Sequence, residues 1–315
     1  MYRYIIKRCL LIIPVILGVS FLIYVGMELA AGDPILMLAG ESATPEMLEA
    51  MRAQYGYDRS VFYRYGVYIL NLLQGDLGMS ISMKQPVWDL YISRLWPTAQ
   101  LGLACVAVSM LVSIPLGIIS AVKNGSLIDN FSMVLALFGI SMPNFWFGLL
   151  LIIAFSLKLG WLPSYGNSDG WLSLILPTLT WAPDLMASLT RTTRSSMIDV
   201  LKQDYLRTAR SKGVPEGTVI RKHALKNALI PIITIAGSQF AAVLGGAALT
   251  ETIFTWPGVG RLMVDAINQR DVPLACGCIV LTTVLSCIIL LVVDILYAYI
   301  DPRIKAQYTR GKKKS

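Results

Sequence analysis

Residues 199–231, DVLKQDYLRTARSKGVPEGTVIRKHALKNALIP, form a polar, basic island in a chain otherwise dominated by long apolar runs. Nine Lys or Arg fall between positions 191 and 226. A cation at the centre of a spanning helix costs about 2.5–3.5 kcal/mol on insertion scales, so this stretch cannot lie within lipid. The island has internal order. Leu201, Tyr205 and Ala209, at four-residue spacing, predict a short amphipathic helix over 199–211. Gly213-Val214-Pro215 breaks it, and a second helix is expected from Glu216. Two short helices joined by a glycine turn make a docking surface rather than a tether.

Outward from the island, six runs are apolar enough to cross a bilayer, which takes about 20 residues: roughly 9–31, 97–122, 131–157, 172–194, 227–250 and 275–300. The chain is 55% hydrophobic and 15% charged, whereas soluble chains average about 45–50% and 25%. The expectation is an all-α membrane protein with six transmembrane helices. The net charge of +8 reads as topology rather than nucleic-acid binding. With both termini inside, nineteen Lys/Arg are cytoplasmic and eight external, as the positive-inside rule requires. Trp88, Trp96, Trp161, Trp171 and Trp256 fall near outer span ends, where an aromatic belt is expected. Arg3, Lys7 and Arg8 before an apolar run ending near Ala30-Ala31 resemble a signal peptide. The run exceeds the roughly 7–15 residues of a secretory core, so a retained first span is expected. Cys9, Cys105, Cys276, Cys278 and Cys287 lie in or beside spans and lack paired Cys-x-x-Cys spacing, which argues against a disulfide framework or zinc site.

These runs divide the chain into an N-terminal transmembrane helix (1–31), an extracytoplasmic segment with interfacial helices (32–94), a five-helix transmembrane domain (95–301) and a basic cytoplasmic tail (302–315). In the outer segment, 41–54 has helical periodicity through Met47, Leu48 and Met51, and 61–73 carries an aromatic stripe of Phe62, Tyr65 and Ile69. Those helices either receive an external partner or cover span ends. The Lys312–Lys314 end of the tail fits a solvated anchor against anionic lipid.

Much chemistry is missing. There is no G-x-x-x-x-G-K-[ST] loop to hold ATP, Gly258-Val259-Gly260 lacks a third glycine, and the single His223 cannot build a metal cluster. The chain is read as a non-enzyme binding no cofactor of its own. Ionisable groups at membrane depth are costly and mark pathways. Asp184, Glu28 and Asp294 are therefore the candidates for a translocation path, against a local helix bond for Asp184 near Pro177 and Pro183, water at the interface for Glu28 and a structural pair or cap for Asp294. In the fifth run Ala236, Gly237, Ser238, Ala241, Ala242, Gly245 and Gly246 permit close helix approach, either within the chain or at a subunit interface. Pro115, Pro143, Pro177 and Pro231 add kinks.

The island resembles the glycine loop of ABC importer permeases, Glu-Ala-Ala then three residues then Gly. Ala209 and Gly213 match, while Arg207 and Thr208 replace the first two members. The later Ile-x-Leu-Pro positions hold His223, Ala224, Leu225 and Lys226, with proline displaced to Pro231. That pattern is similar to the dipeptide, oligopeptide and nickel branch, where Asp204-Tyr205, Arg207-Thr208-Ala209, Lys212-Gly213, His223-Ala224-Leu225 and Asn227-Ala228 have counterparts. Gly32-Asp33-Pro34, Gly75-Asp76-Leu77-Gly78, Ser141-Met142-Pro143, 193–197 (TRSSM), 251–254 (ETIF), Trp256-Pro257-Gly258, 270–273 (RDVP) and Asp301-Pro302-Arg303 extend the likeness along the chain. The resemblance implies a type I ABC importer transmembrane fold whose coupling loop spans 199–223, with Asp204, Tyr205, Arg207, Thr208, Ala209, Lys212, Gly213 and His223 as ATPase-coupling residues. It further implies a second related permease, two ATPase subunits using ATP and Mg inside, an external substrate-binding protein, and a peptide or nickel-chelate cargo. Two other classes stay open. An ion-coupled secondary transporter is permitted by Asp184 and Asp294 but leaves the docking loop unexplained, and a membrane enzyme lacks convergent nucleophile and base.

Overall fold

The structure, a computed structural model, describes residues 2–29, 34–39 and 43–300. Gly32-Asp33, Asp301-Pro302-Arg303, the basic tail and the side chain of Glu28 lie outside the described part. In chain order the helices are α1 (Tyr2–Leu29), α2 (Pro34–Ala39), α3 (Pro45–Gln54), α4 (Val61–Leu73), α5 (Val87–Val122), α6 (Leu127–Ser141), α7 (Asn144–Leu151), α8 (Trp171–Leu201), α9 (Asp204–Ser211), α10 (Glu216–Thr218), α11 (Leu225–Gly246), α12 (Ala248–Ile253), α13 (Val259–Asn268) and α14 (Val272–Ile300). A π-helical stretch, Ile152–Lys158, extends α7, and another, Val219–Ala224, joins α10 to α11. No strand forms among the described residues.

Among the described residues five helices are long and apolar enough to cross a membrane: Leu10–Met27 within α1, α5, α8, the continuous Glu216–Gly245 stretch, and Val272–Ile295 within α14. The sixth expected span is a pair, α6 and α7 with its π extension, bent by 96°. Pro143 causes the bend, because it lacks an N–H and pushes Met142 into extended backbone, ψ 127°. Pro177 and Pro183 do not break α8, which runs through both.

The island differs from expectation at both ends. α8 continues to Leu201, so the loop helix begins at Asp204 rather than at 199. Met197, fully buried, keeps the end of α8 packed until Gln203 turns extended. The expected second short helix is instead the run-in to the fifth span, continuous from Glu216.

Contacts group the chain into two compact units, one of 99–244 with the end of α14 from Cys287, the other of 3–98 with 245–286. In the first, small residues let helices close up. A Cβ on Gly117 of α5 would lie 2.5 Å from Thr193 Cβ of α8, and one on Gly237 of α11 2.3 Å from Val293 Cγ2 of α14. Ala236 and Ala241 are buried as well, so this part of the small-residue stripe packs within the chain.

The second unit has an aromatic core. Tyr65 of α4 meets Phe21 and Tyr24 of α1 edge-on, with ring centroids 5.2 and 5.6 Å apart, and its hydroxyl donates to Leu17 O at 2.9 Å. The buried face of α4 follows Arg64 and Tyr68, with Val61, Tyr65, Ile69 and Leu72 beside it, while Phe62 of the expected stripe is exposed. Trp88, Trp96, Trp161 and Trp171 are exposed as belt residues should be, but Trp256 is only 2% exposed. Its indole N–H donates to Pro97 O at 2.9 Å, which anchors it inside the protein.

Candidate functional site

The loop is built around a helix end. Along α9, Asp204, Tyr205, Arg207 and Thr208 are exposed and Ala209 is half-buried, while the fully buried residue is Leu206. Leu206 enters a cluster with Ala121 of α5, Met197 of α8 and Val219, Ala224 and Ala228 of the following helix. Burying a leucine is worth about 1.5–3 kcal/mol, enough to hold an eight-residue helix that would not persist alone. The predicted inward position, Tyr205, instead uses its hydroxyl to accept from Asn227 Nδ2 at 2.6 Å. Leucine wins the buried site because tyrosine carries a polar tip that needs a partner.

Gly213 then reverses the chain at φ +76°. Its N–H donates to Arg210 O at 2.9 Å and that of Val214 to Ala209 O at 3.3 Å. This is the double closure of a Schellman motif, with Val214 and Ala209 against the same apolar cluster. Arg210 then grips Glu216 across the turn at 2.8 and 3.0 Å. That pair is exposed and adds about 0–1 kcal/mol. Lys212 and Gly213 are exposed at the tip, and His223 sits half-buried in the π-helical stretch.

One clamp was not anticipated. Asp129 of α6, 2% exposed, takes Arg194 Nε and Nη2 at 2.6 and 2.7 Å, together with Ser120 Oγ and the Gly125 N–H. It ties the α5–α6 turn to the stretch of α8 that leads into the loop. Arg194 lies in the importer-like 193–197 stretch, but nothing in the sequence pairs it with an acid 65 positions away.

Of the path candidates, Asp184 and Asp294 fall among the described side chains. Asp184 is half-buried in α8, and among the described residues its carboxylate accepts no hydrogen bond. Arg191 lies seven residues further along the same helix, two turns away on the same face. Asp294 is half-buried in α14.

Among the described residues of the second unit, two buried acids cap helices. Glu251 of α12, fully buried, accepts from Thr98 Oγ1 at 2.7 Å and from the Arg261 N–H at 2.9 Å, at the start of α13. Thr98 Oγ1 in turn accepts from the Val259 N–H at 2.8 Å. Burial pushes the Glu251 carboxyl above its usual range, with these bonds opposing the shift. Asp271 accepts from Ser80 Oγ, the Ser82 N–H and the Leu274 N–H at 2.6, 2.9 and 3.1 Å, joining the loop after α4 to the start of α14.

Solved structures share this arrangement of helices. Inward-facing conformations of the MetNI methionine ABC transporter match with TM-scores of 0.56 and 0.57 at 16% and 15% identity, over 67% of this chain and 96% of theirs. At that identity the likeness defines the fold alone, the type I ABC importer transmembrane fold. The sequence goes further. Residues 113–306 match the binding-protein-dependent transport system inner membrane component, and residues 1–102 its N-terminal membrane component. The chain is 43% identical over 305 residues to the glutathione transport system permease protein GsiC of Escherichia coli (strain K12), covering 97% of this chain and 99% of the relative. It is 42% identical over the same length to GsiC of Shigella flexneri serotype 5b (strain 8401). The chain belongs to the binding-protein-dependent transport system inner membrane component family, a multi-pass permease subunit of an ABC importer.

Proposed function

We propose that this permease passes small peptides, delivered by an external binding protein, along a path shared with a second related permease, while two ATPase subunits dock on 199–223 and hydrolyse ATP with the help of Mg. The observation that carries the cargo is the 43% identity, over nearly the whole chain, to a permease named for glutathione, a tripeptide. The charge split of nineteen against eight Lys/Arg supports both termini inside. Domains follow the sequence division: a first span, an external segment over 32–94, a five-helix domain carrying the loop, and a basic tail.

Coupling follows from how the loop is held. Asp204, Arg207, Thr208, Lys212 and Gly213 present the exposed surface, and Leu206 and Tyr205 fasten it to α8 and α11. A push from the ATPases on α9 is therefore passed to the ends of two spans as a rigid displacement, which favours one packed arrangement over another. His223 and Ala209 lie behind that surface and set its position. In the path, the Asp184 carboxylate would attract a peptide ammonium, with Glu28 and Asp294 as further stations.

The test is uptake by the reconstituted complex. Glutathione and dipeptides should stimulate ATP hydrolysis and accumulate, and Asp184→Asn should lower uptake about tenfold while the ATPases still co-purify. Stimulation by a nickel chelate with none by any peptide would reverse the cargo assignment.

A further inference from the structure

At the end of α5, a pocket of about 280 Å³ opens between that helix and the start of the fifth span. Its walls are apolar, from Ile118, Ile119 and Val122 on α5 and Ile220 opposite. Two cations, Lys123 and Arg221, stand at its rim, both exposed. Among the described residues neither forms an ion pair or side-chain hydrogen bond, unlike Arg194 and Arg210 nearby, which are both engaged. The helices that supply the walls run on into stretches long and apolar enough to cross a membrane, so the apolar part adjoins the end of those spans while the charged rim stands beyond it.

From this juxtaposition we propose that the pocket holds an anionic phospholipid, its phosphate between Lys123 and Arg221 and one acyl chain along the four aliphatic side chains. Charge complementarity selects the occupant: two unneutralised cations call for an anion, and the isoleucine walls call for hydrocarbon beside it. Basic pockets between spans on the cytoplasmic side hold anionic headgroups for this reason. Ile118 and Ile220 also pack against the cluster that buries Leu206 and Val219. A bound lipid therefore touches the group that holds the docking helix, so the anionic content of the inner leaflet regulates coupling. The inference rests on the reading that places 191–226 at the inner face.

The probe is phosphatidylglycerol, compared with phosphatidylcholine of the same chains, titrated onto the purified complex and counted by native mass spectrometry. Each juxtamembrane cation contributes about 1 kcal/mol towards an anionic surface, and 1.4 kcal/mol is a factor of ten. The double change Lys123→Ala/Arg221→Ala should therefore weaken phosphatidylglycerol retention about thirtyfold and leave phosphatidylcholine unaffected. A second variant keeps both charges. Gly217 lines the pocket, and a Cβ there meets no atom within 4 Å, so Gly217→Trp should fill the space and lower retention as strongly. Undiminished retention in both variants overturns the proposal. Displacement of the lipid by millimolar inorganic phosphate would mean a free-phosphate site and also overturns it. So does loss of the ATPases from the double variant with lipid retention unchanged, since the cations then face protein. Gly213→Val tests docking separately, because it leaves the pocket intact.

Discussion

Gly213 gives the most direct test of the loop. At φ +76° it occupies a conformation that costs a side-chain-bearing residue about 1–2 kcal/mol. A Cβ added there meets no atom within 4 Å, so the chain itself imposes no further steric cost. The whole intramolecular effect of Gly213→Val is then backbone strain in a turn closed by two hydrogen bonds. At a factor of ten per 1.4 kcal/mol, that shifts the balance between formed and frayed turn by about five- to thirtyfold. Substrate-stimulated ATPase activity of the reconstituted complex should fall accordingly, with faster amide exchange at Val214. Gly213→Asn should stay near wild type, because asparagine tolerates the left-handed region. If asparagine proves as damaging as valine, strain is not the cause and the partner surface excludes any side chain. Full stimulation in Gly213→Val would sink the docking assignment itself.

Arg194→Ala leaves the Asp129 carboxylate, 2% exposed, with only Ser120 and the Gly125 N–H, and should cost about 1–3 kcal/mol. In thermal unfolding, Arg194→Ala/Asp129→Ala should lose less than the two single changes summed, and simple additivity would contradict the clamp. Glu251 titrates in the opposite sense from a salt-bridged acid. Its raised pKa means the folded state prefers the protonated form, so its favourable contribution is present below about 4.5 and is lost as pH rises through the raised value. Wild-type Tm should therefore decline over that rise more steeply than that of Glu251→Gln, and parallel curves would refute the assignment. Cysteines placed at Ser60 and Ser211 report orientation. An impermeant reagent should reach only Ser60→Cys in intact cells, and outside labelling at Ser211→Cys would invert the topology.

The spans were legible because crossing a bilayer requires about 20 apolar residues in a row, a signal carried by each run alone. The turn at Gly213 was legible for the same reason, with its glycine and the following Pro215 adjacent in sequence. Helix ends were less so: α8 persists to Leu201 and the fifth span starts at Glu216 because packing around Met197 and Val219 sustains polar helix beyond the apolar window. Periodicity chose Tyr205 over its neighbour Leu206, a one-residue error in phase that only the Asn227 partner and the apolar cluster resolve. Trp256 has the sequence setting of an interfacial residue, and only its bond to Pro97, 159 positions away, places it inside the protein. Glu251 with Thr98, and Asp129 with Arg194, are likewise pairings across distance, which no local pattern encodes.

The π-helical stretch Val219–Ala224 has a consequence for how relatives of this chain align. Its hydrogen bonds close over one more residue than an α turn, so it stores a single surplus residue between the Gly213 turn and the fifth span. Deleting one residue within it anneals the stretch to ordinary α-helix and leaves the faces of α9 and α11 as they are. The same deletion inside α11 rotates every later side chain by about 100°, one helical step at 3.6 residues per turn. Length differences among homologous permeases should therefore collect at 219–224, just ahead of the proline displaced to Pro231.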